Sequence, residues 1–162
     1  MIHIDAQFSK WISKIRRDFH MHPELSNQEY ETTKKICSIL KILGIETQTF
    51  DDMTGAVAII RGANAGPTLA LRADIDALPI EELNDVPYAS QNTNIMHACG
   101  HDANTAIMLG VARAIVENNL AMQINGNIKF IFQPAEEKTN GAESIIAKGV
   151  LENPRVDWVI AG

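Results

Sequence analysis

The amino-acid sequence predicts an α/β fold in which helices flank a mixed β-sheet. Three observations support this prediction. Apolar residues recur at helical spacing over residues 7–43, the pattern changes to short extended segments over 45–73, and two later predicted strands, 127–133 and 156–161, each follow a helical pattern. Hairpins followed by strands that are linked through helices are typical of a mixed, mostly parallel sheet covered by helices.

The first part of the chain predicts two amphipathic helices. Residues 7–21 place aromatic and aliphatic side chains on one face, with lysines and arginines between them. The pair His22 and Pro23 ends this helix, because the residue before a proline avoids the α region. Ser26 and Glu29 match an S-x-x-E capping box, which predicts a second helix that ends at Gly44.

Three strands are predicted next, over residues 45–50, 56–61 and 68–73. The turns between them are short and contain glycine, and short loops join antiparallel neighbours. We therefore expect the three strands to pair in sequence order. The third strand is apolar on both faces, which predicts a central position in the sheet.

The second half of the chain alternates between helices and strands. Residues 81–96 are polar and irregular and exceed the usual loop length of about 4–6 residues, so a functional loop is expected there. A buried helix is predicted over 103–116, because apolar residues cover most of its faces. A strand over 127–133, a helix over 142–148 and a strand over 156–161 complete the prediction.

Composition and charge narrow the possible functions. The net charge is −6 at pH 7, which argues against nucleic acid or an anionic membrane as the main partner, because both require a basic face. The N-terminus lacks a basic segment followed by an apolar one, and no run of about 18 apolar residues is found, so neither a signal peptide nor a membrane span is expected. Two cysteines are too few for a disulfide framework, and the expected location is the reducing cytoplasm.

The stretch from His97 to Asp102 concentrates groups that can bind a metal. Cys99 and His101 are two residues apart, so a tight turn at Gly100 can direct both side chains at one ion. Asp102 is placed to cap the following helix, and the positive end of that helix is expected to favour the thiolate of Cys99. The alternative is a buried core cysteine beside a helix-capping aspartate. Two histidines and an aspartate in the same turn favour the metal site.

Glu136 and Glu137 follow a predicted strand and a proline. Adjacent side chains on extended backbone point to opposite sides, so one carboxylate can bind a metal while the other acts as a base in the cleft. A general base beside a metal-bound water is the arrangement that metal-assisted hydrolysis requires. The alternative is a solvated surface pair, which is the usual state of neighbouring glutamates.

Five other residues have competing interpretations. Asp74 and Asp76 end the third strand, where they either form a turn and cap a helix or orient a ligand histidine or the base. The residues alone favour neither interpretation. His20 and His22 flank a helix end, where imidazoles more often cap a helix or lie on the surface than bind a metal. Cys37 lies beside the apolar face of the second helix and is interpreted as a core residue.

Five motifs occur together in an order and at separations that are typical of one family: R-R-D-F-H-M-H-P-E-L-S (16–26), L-R-A-D-I-D-A-L-P-I (71–80), H-A-C-G-H-D (97–102), F-Q-P-A-E-E (132–137) and G-V-L-E-N-P (149–154). The chain resembles the hippuricase-like branch of the aminoacylase and carboxypeptidase family of metallohydrolases, the N-acyl-amino acid amidohydrolases. The motifs span nearly the whole chain. The resemblance implies a catalytic domain of the zinc-peptidase-like α/β type.

The resemblance also implies a two-metal site. In that site Cys99, His101 and Glu137 are metal ligands, Glu136 is the base that activates water, and Asp76 supports the site. The implied reaction is hydrolysis of the amide bond between an acyl group and an amino acid, as in hippurate-like substrates. A mixed thiolate, imidazole and carboxylate set suits zinc, and manganese, cobalt or nickel are also compatible.

Two features depart from the family pattern. Asn104 stands where the family commonly has histidine. Relatives also continue past the strand at 156–162 into another ligand histidine, a smaller dimerisation domain and a last ligand histidine. We therefore expect residues 1–162 to be the N-terminal portion of the catalytic domain, nearly inactive alone, of a protein that is a homo-oligomer when complete. The alternative is a non-catalytic metal-binding or interaction module.

Overall fold

The computed structural model describes residues 4–138 and 140–162. Within these residues the chain forms four α-helices and five β-strands. A 3₁₀ turn precedes the fourth strand at Leu120–Gln123, and another follows it at Glu136–Lys138. In chain order the elements are α1 (Ala6–Met21), α2 (Tyr30–Ile42), β1 (Thr47–Gln48), β2 (Ala56–Arg61), β3 (Asn64–Asp74), α3 (His101–Glu117), β4 (Asn125–Gln133), α4 (Gly141–Ala147) and β5 (Trp158–Ala161).

The five strands form one mixed sheet in the order β1-β2-β4-β3-β5. β2 pairs antiparallel with β1 and β4, whereas β3 pairs in parallel with β4 and β5. The regular part of the longest pairing runs from Thr68 opposite Asn127 to Asp74 opposite Gln133. The mixed sheet with its flanking helices confirms the predicted α/β class, and β3 is an interior strand as expected.

The expectation that the first three strands pair in sequence order is wrong for β2 and β3, because β4 lies between them and pairs with both. The chain leaves β2 at Gly62, whose N–H donates a hydrogen bond to Gly126 O at 2.7 Å. A Cβ at Gly62 would come within 2.2 Å of Ile124 O. The turn after β2 therefore packs against the backbone that enters β4 instead of closing a hairpin.

Buried apolar side chains cover both faces of the sheet. The larger cluster packs under α1, α2 and α3, and it includes Phe19, Leu40, Leu109 and Phe130. Cys37 is half-buried against this cluster, which confirms its interpretation as a core residue. The smaller cluster lies on the opposite face and consists of Val57, Ala70, Ile131, Ile145 and Val150. None of the helices in the described ranges has the length and apolar content needed to cross a bilayer.

Two predicted helix caps are replaced by other contacts. α2 begins one residue after Glu29, and neither Ser26 nor Glu29 supplies a side-chain cap, because both side chains bind groups elsewhere in the fold. α3 begins directly after Gly100, which adopts a left-handed φ of 80°. Asp102 therefore lies inside the first turn of α3 and does not cap it. Gly44, at a φ of 74°, ends α2 as predicted.

Three segments of the chain meet at one edge of the sheet. β3 ends at Asp74 and β4 ends opposite it, at Gln133. Residues 81–96 are irregular as predicted, and an isolated bridge between Leu78 and Met96 closes them into a loop just before α3. The carboxyl ends of parallel strands are the edge at which α/β proteins place their ligand sites.

Candidate metal centre

Three side chains converge at this edge of the sheet. His101 is the first residue of α3, and Glu136 and Glu137 belong to the 3₁₀ turn after β4. One ligand atom of each lies within 4.8 Å of the others. His101 Nε2 is 3.8 Å from Glu136 Oε2 and 4.0 Å from Glu137 Oε1. The three residues form a compact set of nitrogen and oxygen donors.

The two glutamates do not point to opposite sides, contrary to the expectation from the sequence. Ala135 has a φ of 54°, which takes the chain out of the extended conformation before the 3₁₀ turn. Both carboxylates therefore face His101. Their exposure differs, since 42% of the Glu136 side chain is exposed and only 17% of the Glu137 side chain. The alternative of a solvated surface pair does not describe Glu137.

Asp76 is fully buried and holds the other residues in place. Its Oδ2 accepts hydrogen bonds from Ser26 Oγ at 2.7 Å and from the N–H of Glu137 at 3.0 Å, and its carbonyl accepts one from His101 Nδ1 at 2.9 Å. Burial raises the pKa of Asp76, but the hydrogen bonds outweigh it and the pKa lies below its usual value. Of its two interpretations, the geometry matches the one in which Asp76 orients a histidine.

Asp74 joins β3 to α3. Its carbonyl accepts a hydrogen bond from Thr105 Oγ1 at 3.0 Å, and its carboxylate forms an ion pair with Arg72. Burial raises the pKa of Asp74 to about 6, although the charge of Arg72 opposes the shift. Asp74 therefore contributes a buried, weakly acidic group beside the cluster.

The hydrogen bonds of His101 and Glu137 leave free the nitrogen and oxygen atoms that would bind a metal. Because Nδ1 of His101 donates to Asp76, its Nε2 faces the glutamates. Glu137 Oε1 is buried, and no residue in 4–138 or 140–162 gives it a hydrogen bond. A buried carboxylate oxygen without a donor costs about 1–3 kcal/mol, and a cation removes that cost. The donor set therefore fits a divalent metal ion.

The protonation of His101 responds to the same charges. Burial lowers its pKa, but the hydrogen bonds to Asp76 and the negative charge of Asp74 outweigh burial and raise the pKa to about 9. The protonated ring partly neutralises the carboxylates around it. Metal binding requires the neutral ring, so a divalent cation would compete with this proton.

Cys99 lies beside this set, and among the described residues it does not join it. It is exposed, which excludes the alternative of a buried core cysteine. Contact with the carboxylate of Glu137, together with the loss of part of its hydration, raises the pKa of the Cys99 thiol to about 11. The expectation that the start of α3 favours the thiolate is therefore wrong, because the neighbouring carboxylates outweigh the positive end of the helix.

Glu29 anchors the turn that carries the two glutamates. Its Oε2 accepts a hydrogen bond from Thr54 Oγ1 at 2.6 Å, and its Oε1 accepts one from the N–H of Ala135 at 2.8 Å. Burial raises the pKa of Glu29, and these hydrogen bonds partly oppose the shift. The sequence does not distinguish this role from a capping box, because Ser26 and Glu29 have the spacing of a capping box whichever groups their side chains bind.

The histidines outside the cluster differ in their environment. His20 is buried, with Nδ1 at 2.8 Å from Asp102 Oδ2 and Nε2 at 3.0 Å from Glu82 Oε1, so its interpretation as a surface or capping group is wrong. His22 is half-exposed and contacts a carbonyl near the end of α1, as predicted. His97 is buried, its ring nitrogens have no hydrogen-bond partner in the described part of the chain, and burial lowers its pKa to about 4.

Known proteins share both the sequence and the fold of this chain. Residues 70–162 match peptidase family M20/M25/M40. The N-acetyl-L-cysteine deacetylase of Bacillus subtilis is 48% identical over 155 residues, which cover 96% of this chain and 36% of the relative. The thermostable carboxypeptidase 2 of Saccharolobus solfataricus is 46% identical over 156 residues, which cover 94% and 39%.

A solved structure extends the comparison to three dimensions. A dinuclear metal binding peptidase of the M20 family from Bacillus subtilis superimposes with a TM-score of 0.91 at 44% sequence identity. The match covers 97% of this chain and 43% of that protein. The chain thus spans less than half the length of the relatives that it matches.

Proposed function

The chain belongs to peptidase family M20/M25/M40, and on this basis we propose that it supplies part of the metal centre of an amidohydrolase that cleaves N-acyl-amino acids. The observation that carries the proposal is the convergence of His101, Glu136 and the hydrogen-bond-free Oε1 of Glu137 within 4.8 Å. A bound divalent cation supplies Lewis-acid polarisation of the scissile carbonyl and lowers the pKa of water to about 7.

The exposure of the two glutamates supports a division of roles between them. Glu137 is the more buried, and its carboxylate and His101 Nε2 are the proposed metal ligands, with Cys99 as the third. Glu136 is open to solvent, so its Oε2 can take a proton from the attacking water and return it to the leaving nitrogen. Through hydrogen bonds, Asp76 holds the His101 ring and the Glu137 backbone in place.

The chemistry of the ligand set leaves several metals as candidates. We propose two divalent cations, in keeping with the dinuclear metal binding described for the Bacillus subtilis structure. Zinc suits a set of thiolate, imidazole and carboxylate, and manganese, cobalt and nickel accept the same donors. The proposed substrates are N-acyl-amino acids, including hippurate-like ones, because relatives are a deacetylase of N-acetyl-L-cysteine and a carboxypeptidase.

The proposed active unit is larger than residues 1–162. We propose that residues 1–162 form the N-terminal portion of the catalytic domain and that further metal ligands and a dimerisation domain come from other parts of the complete, homo-oligomeric protein. The chain spans 36% of the length of the N-acetyl-L-cysteine deacetylase, which supports this view. Residues 1–162 alone are then expected to bind metal weakly and to be nearly inactive.

A chimera tests this function. Residues 1–162 replace the matching segment of the Bacillus subtilis N-acetyl-L-cysteine deacetylase, and hydrolysis of N-acetyl-amino acids and hippurate is measured with each candidate metal. The chimera is expected to be active. Glu136→Gln is expected to lower kcat by about 10²–10⁴-fold without changing metal content, because it removes the base. The matched control is Glu143→Gln, an exposed residue on α4. Full activity of Glu136→Gln would disprove the assigned base.

The second candidate is a non-catalytic metal-binding module. It is favoured by the small number of ligand atoms that converge in the described residues, one imidazole and two carboxylates. Under this alternative, the chimera binds divalent metal but hydrolyses none of the substrates with any of the candidate metals.

A further inference from the structure

A buried chain of polar groups links α1, loop 81–96 and α3. His20 lies between two carboxylates, with its Nδ1 2.8 Å from Asp102 Oδ2 and its Nε2 3.0 Å from Glu82 Oε1. Only 5% of the His20 side chain, 3% of the Glu82 side chain and none of the Asp102 side chain are exposed. Arg16 Nε contacts Asp102 Oδ2 at 2.6 Å. Sequence reasoning assigned none of these contacts.

The geometry determines the charge of the His20 ring. A carboxylate oxygen only accepts hydrogen bonds, so each ring nitrogen must carry a proton to donate to the oxygen that it faces. The ring is therefore an imidazolium. The Arg16 guanidinium lies 3.4 Å from Nδ1, farther than the Asp102 oxygen, so Asp102 accepts from both cations. Two cations and two anions then balance, and of these four side chains only that of Arg16 is partly exposed.

The two carboxylates that bind His20 control different parts of the fold. Glu82 organises loop 81–96, because its Oε2 accepts a hydrogen bond from the N–H of Ser90 at 2.6 Å and its Oε1 accepts one from Asn84 at 3.1 Å. Asp102 lies in the first turn of α3, directly after His101. His20 thus joins a loop to the helix turn that carries a proposed metal ligand.

We propose that His20 is a positioning residue for the metal centre: its imidazolium bridges Glu82 and Asp102, and this bridge fixes the first turn of α3 so that His101 faces Glu136 and Glu137. The role of His101 as a ligand rests on the proposed function. The bridge itself rests on the contacts of His20 alone. Loss of either proton from the ring would place a lone pair against a carboxylate and release that side of the bridge.

Charged and aromatic groups surround the His20 ring and influence its protonation. Arg16 and the two carboxylates contact the ring directly, and Tyr88 meets it edge-on with ring centroids 5.8 Å apart. Arg17 lies on the Tyr88 ring, with its guanidinium carbon 4.8 Å from the centroid. His97 also lies close enough for charge interaction with His20. The positive charges nearby oppose the imidazolium. The negative charges of Glu82 and Asp102 stabilise it and outweigh that opposition.

Nitrogen-15 NMR of residues 1–162 without metal tests the bridge. Both ring nitrogens of His20 are expected to give imidazolium signals at pH 7, whereas His22, which is half-exposed, serves as the internal reference. A neutral His20 tautomer at pH 7 overturns the bridge.

Variants test the positioning role separately from general stability. His20→Asn is expected to shift the ring signals of His101 and the amide signal of Glu137, to speed exchange in loop 81–96, and to weaken Mn²⁺ binding by about 10–100-fold. Phe19→Leu is the control for stability, because Phe19 is a buried core residue one position away. It is expected to lower the melting temperature without moving those signals or the Mn²⁺ affinity.

Two outcomes distinguish this inference from the proposed function. If neither residues 1–162 nor the chimera binds Mn²⁺, the proposed function fails, and the NMR signals of His101 and Glu137 in His20→Asn still decide the positioning role. If those signals stay in place in His20→Asn while its stability falls as in Phe19→Leu, His20 is only a structural residue and the inference is wrong.

Discussion

Two regions of the molecule bury charge in opposite ways. Lys129, in the middle of β4, is 1% exposed, and its ammonium group donates to the carbonyl oxygens of Val150, Glu152 and Pro154 at 2.8 Å each. These bonds use all three of its donors. Just beyond the end of the same strand, Glu137 buries a carboxylate oxygen to which no described residue donates.

The difference separates stability from function. The Lys129 ammonium is satisfied within the fold, so it has no donor left for a ligand. The carboxylates at the proposed metal centre keep free acceptor capacity and lie near other negative charge, which the fold neutralises only in part. A fold keeps such unfavourable sites where they serve a function, while the remaining structure stabilises them. The following predictions test this contrast, from the largest expected effect to the smallest.

Lys129→Met is expected to destabilise residues 1–162 by about 3 kcal/mol, because three carbonyl oxygens lose their donor. Urea unfolding followed by circular dichroism measures the change. Lys10→Met, at an exposed position on α1, is the matched control and is expected to change stability by less than about 0.5 kcal/mol. Equal effects of the two substitutions would show that the Lys129 contacts add nothing to stability.

Mn²⁺ is expected to stabilise the wild-type chain by about 2.7 kcal/mol when its free concentration is about 100 times the dissociation constant, because only the folded state binds it. Urea unfolding with and without Mn²⁺ gives the shift. Glu137→Gln is expected to abolish most of it, whereas Lys129→Met keeps it. The same shift in Glu137→Gln would place the binding site elsewhere.

Without metal, stability is expected to fall as the pH rises from 6.5 to 9. The folded pKa of His101 is raised to about 9, above its usual value, so the stability it contributes is fully present below pH 6.5 and is lost through pH 9. The change is on the order of 1–3 kcal/mol. Unfolding curves at several pH values measure it, and Asp76→Asn is expected to flatten the profile. A flat wild-type profile contradicts the assigned shift.

Glu137→Gln without metal is expected to change stability by less than about 0.5 kcal/mol, or to raise it slightly, because it removes one negative charge from a crowded site. Lys129→Met is a direct comparison, because each substitution removes a buried charge, one within β4 and the other just beyond its end. A loss as large as that of Lys129→Met would mean that the Glu137 carboxylate is satisfied in the fold after all.

Much of the fold could be predicted from local patterns. The helices and strands lie close to their predicted ranges, because apolar periodicity reports which face of each element is buried. The three side chains that converge, those of His101, Glu136 and Glu137, could also be found from the sequence, because they occur in motifs whose residue types suit a metal. The strand order was missed at β2 and β3, because a short turn does not reveal that a later strand inserts between its neighbours.

The errors in the two predicted helix caps share one physical cause. Ser26 and Glu29 match a capping box locally, yet their side chains bind Asp76 and the turn at Ala135, which lie far away in the sequence. Asp102 likewise looks like a helix cap, and its carboxylate instead binds His20 and Arg16 of α1. Local rules describe what a side chain can bind nearby. They cannot describe a distant partner that competes for the same atoms.

The sequence by itself determined the elements of this protein, its mixed α/β class and the residue types of the proposed metal centre, because these depend on spacing along the chain. Only the tertiary structure decided which atoms remain free. Asp76 occupies one nitrogen of His101 and the backbone of Glu137, the 3₁₀ turn brings Glu136 and Glu137 to the same side, and the carboxylates raise the pKa of Cys99. Hydrogen-bond capacity and electrostatic shifts depend on groups that only the folded chain brings together.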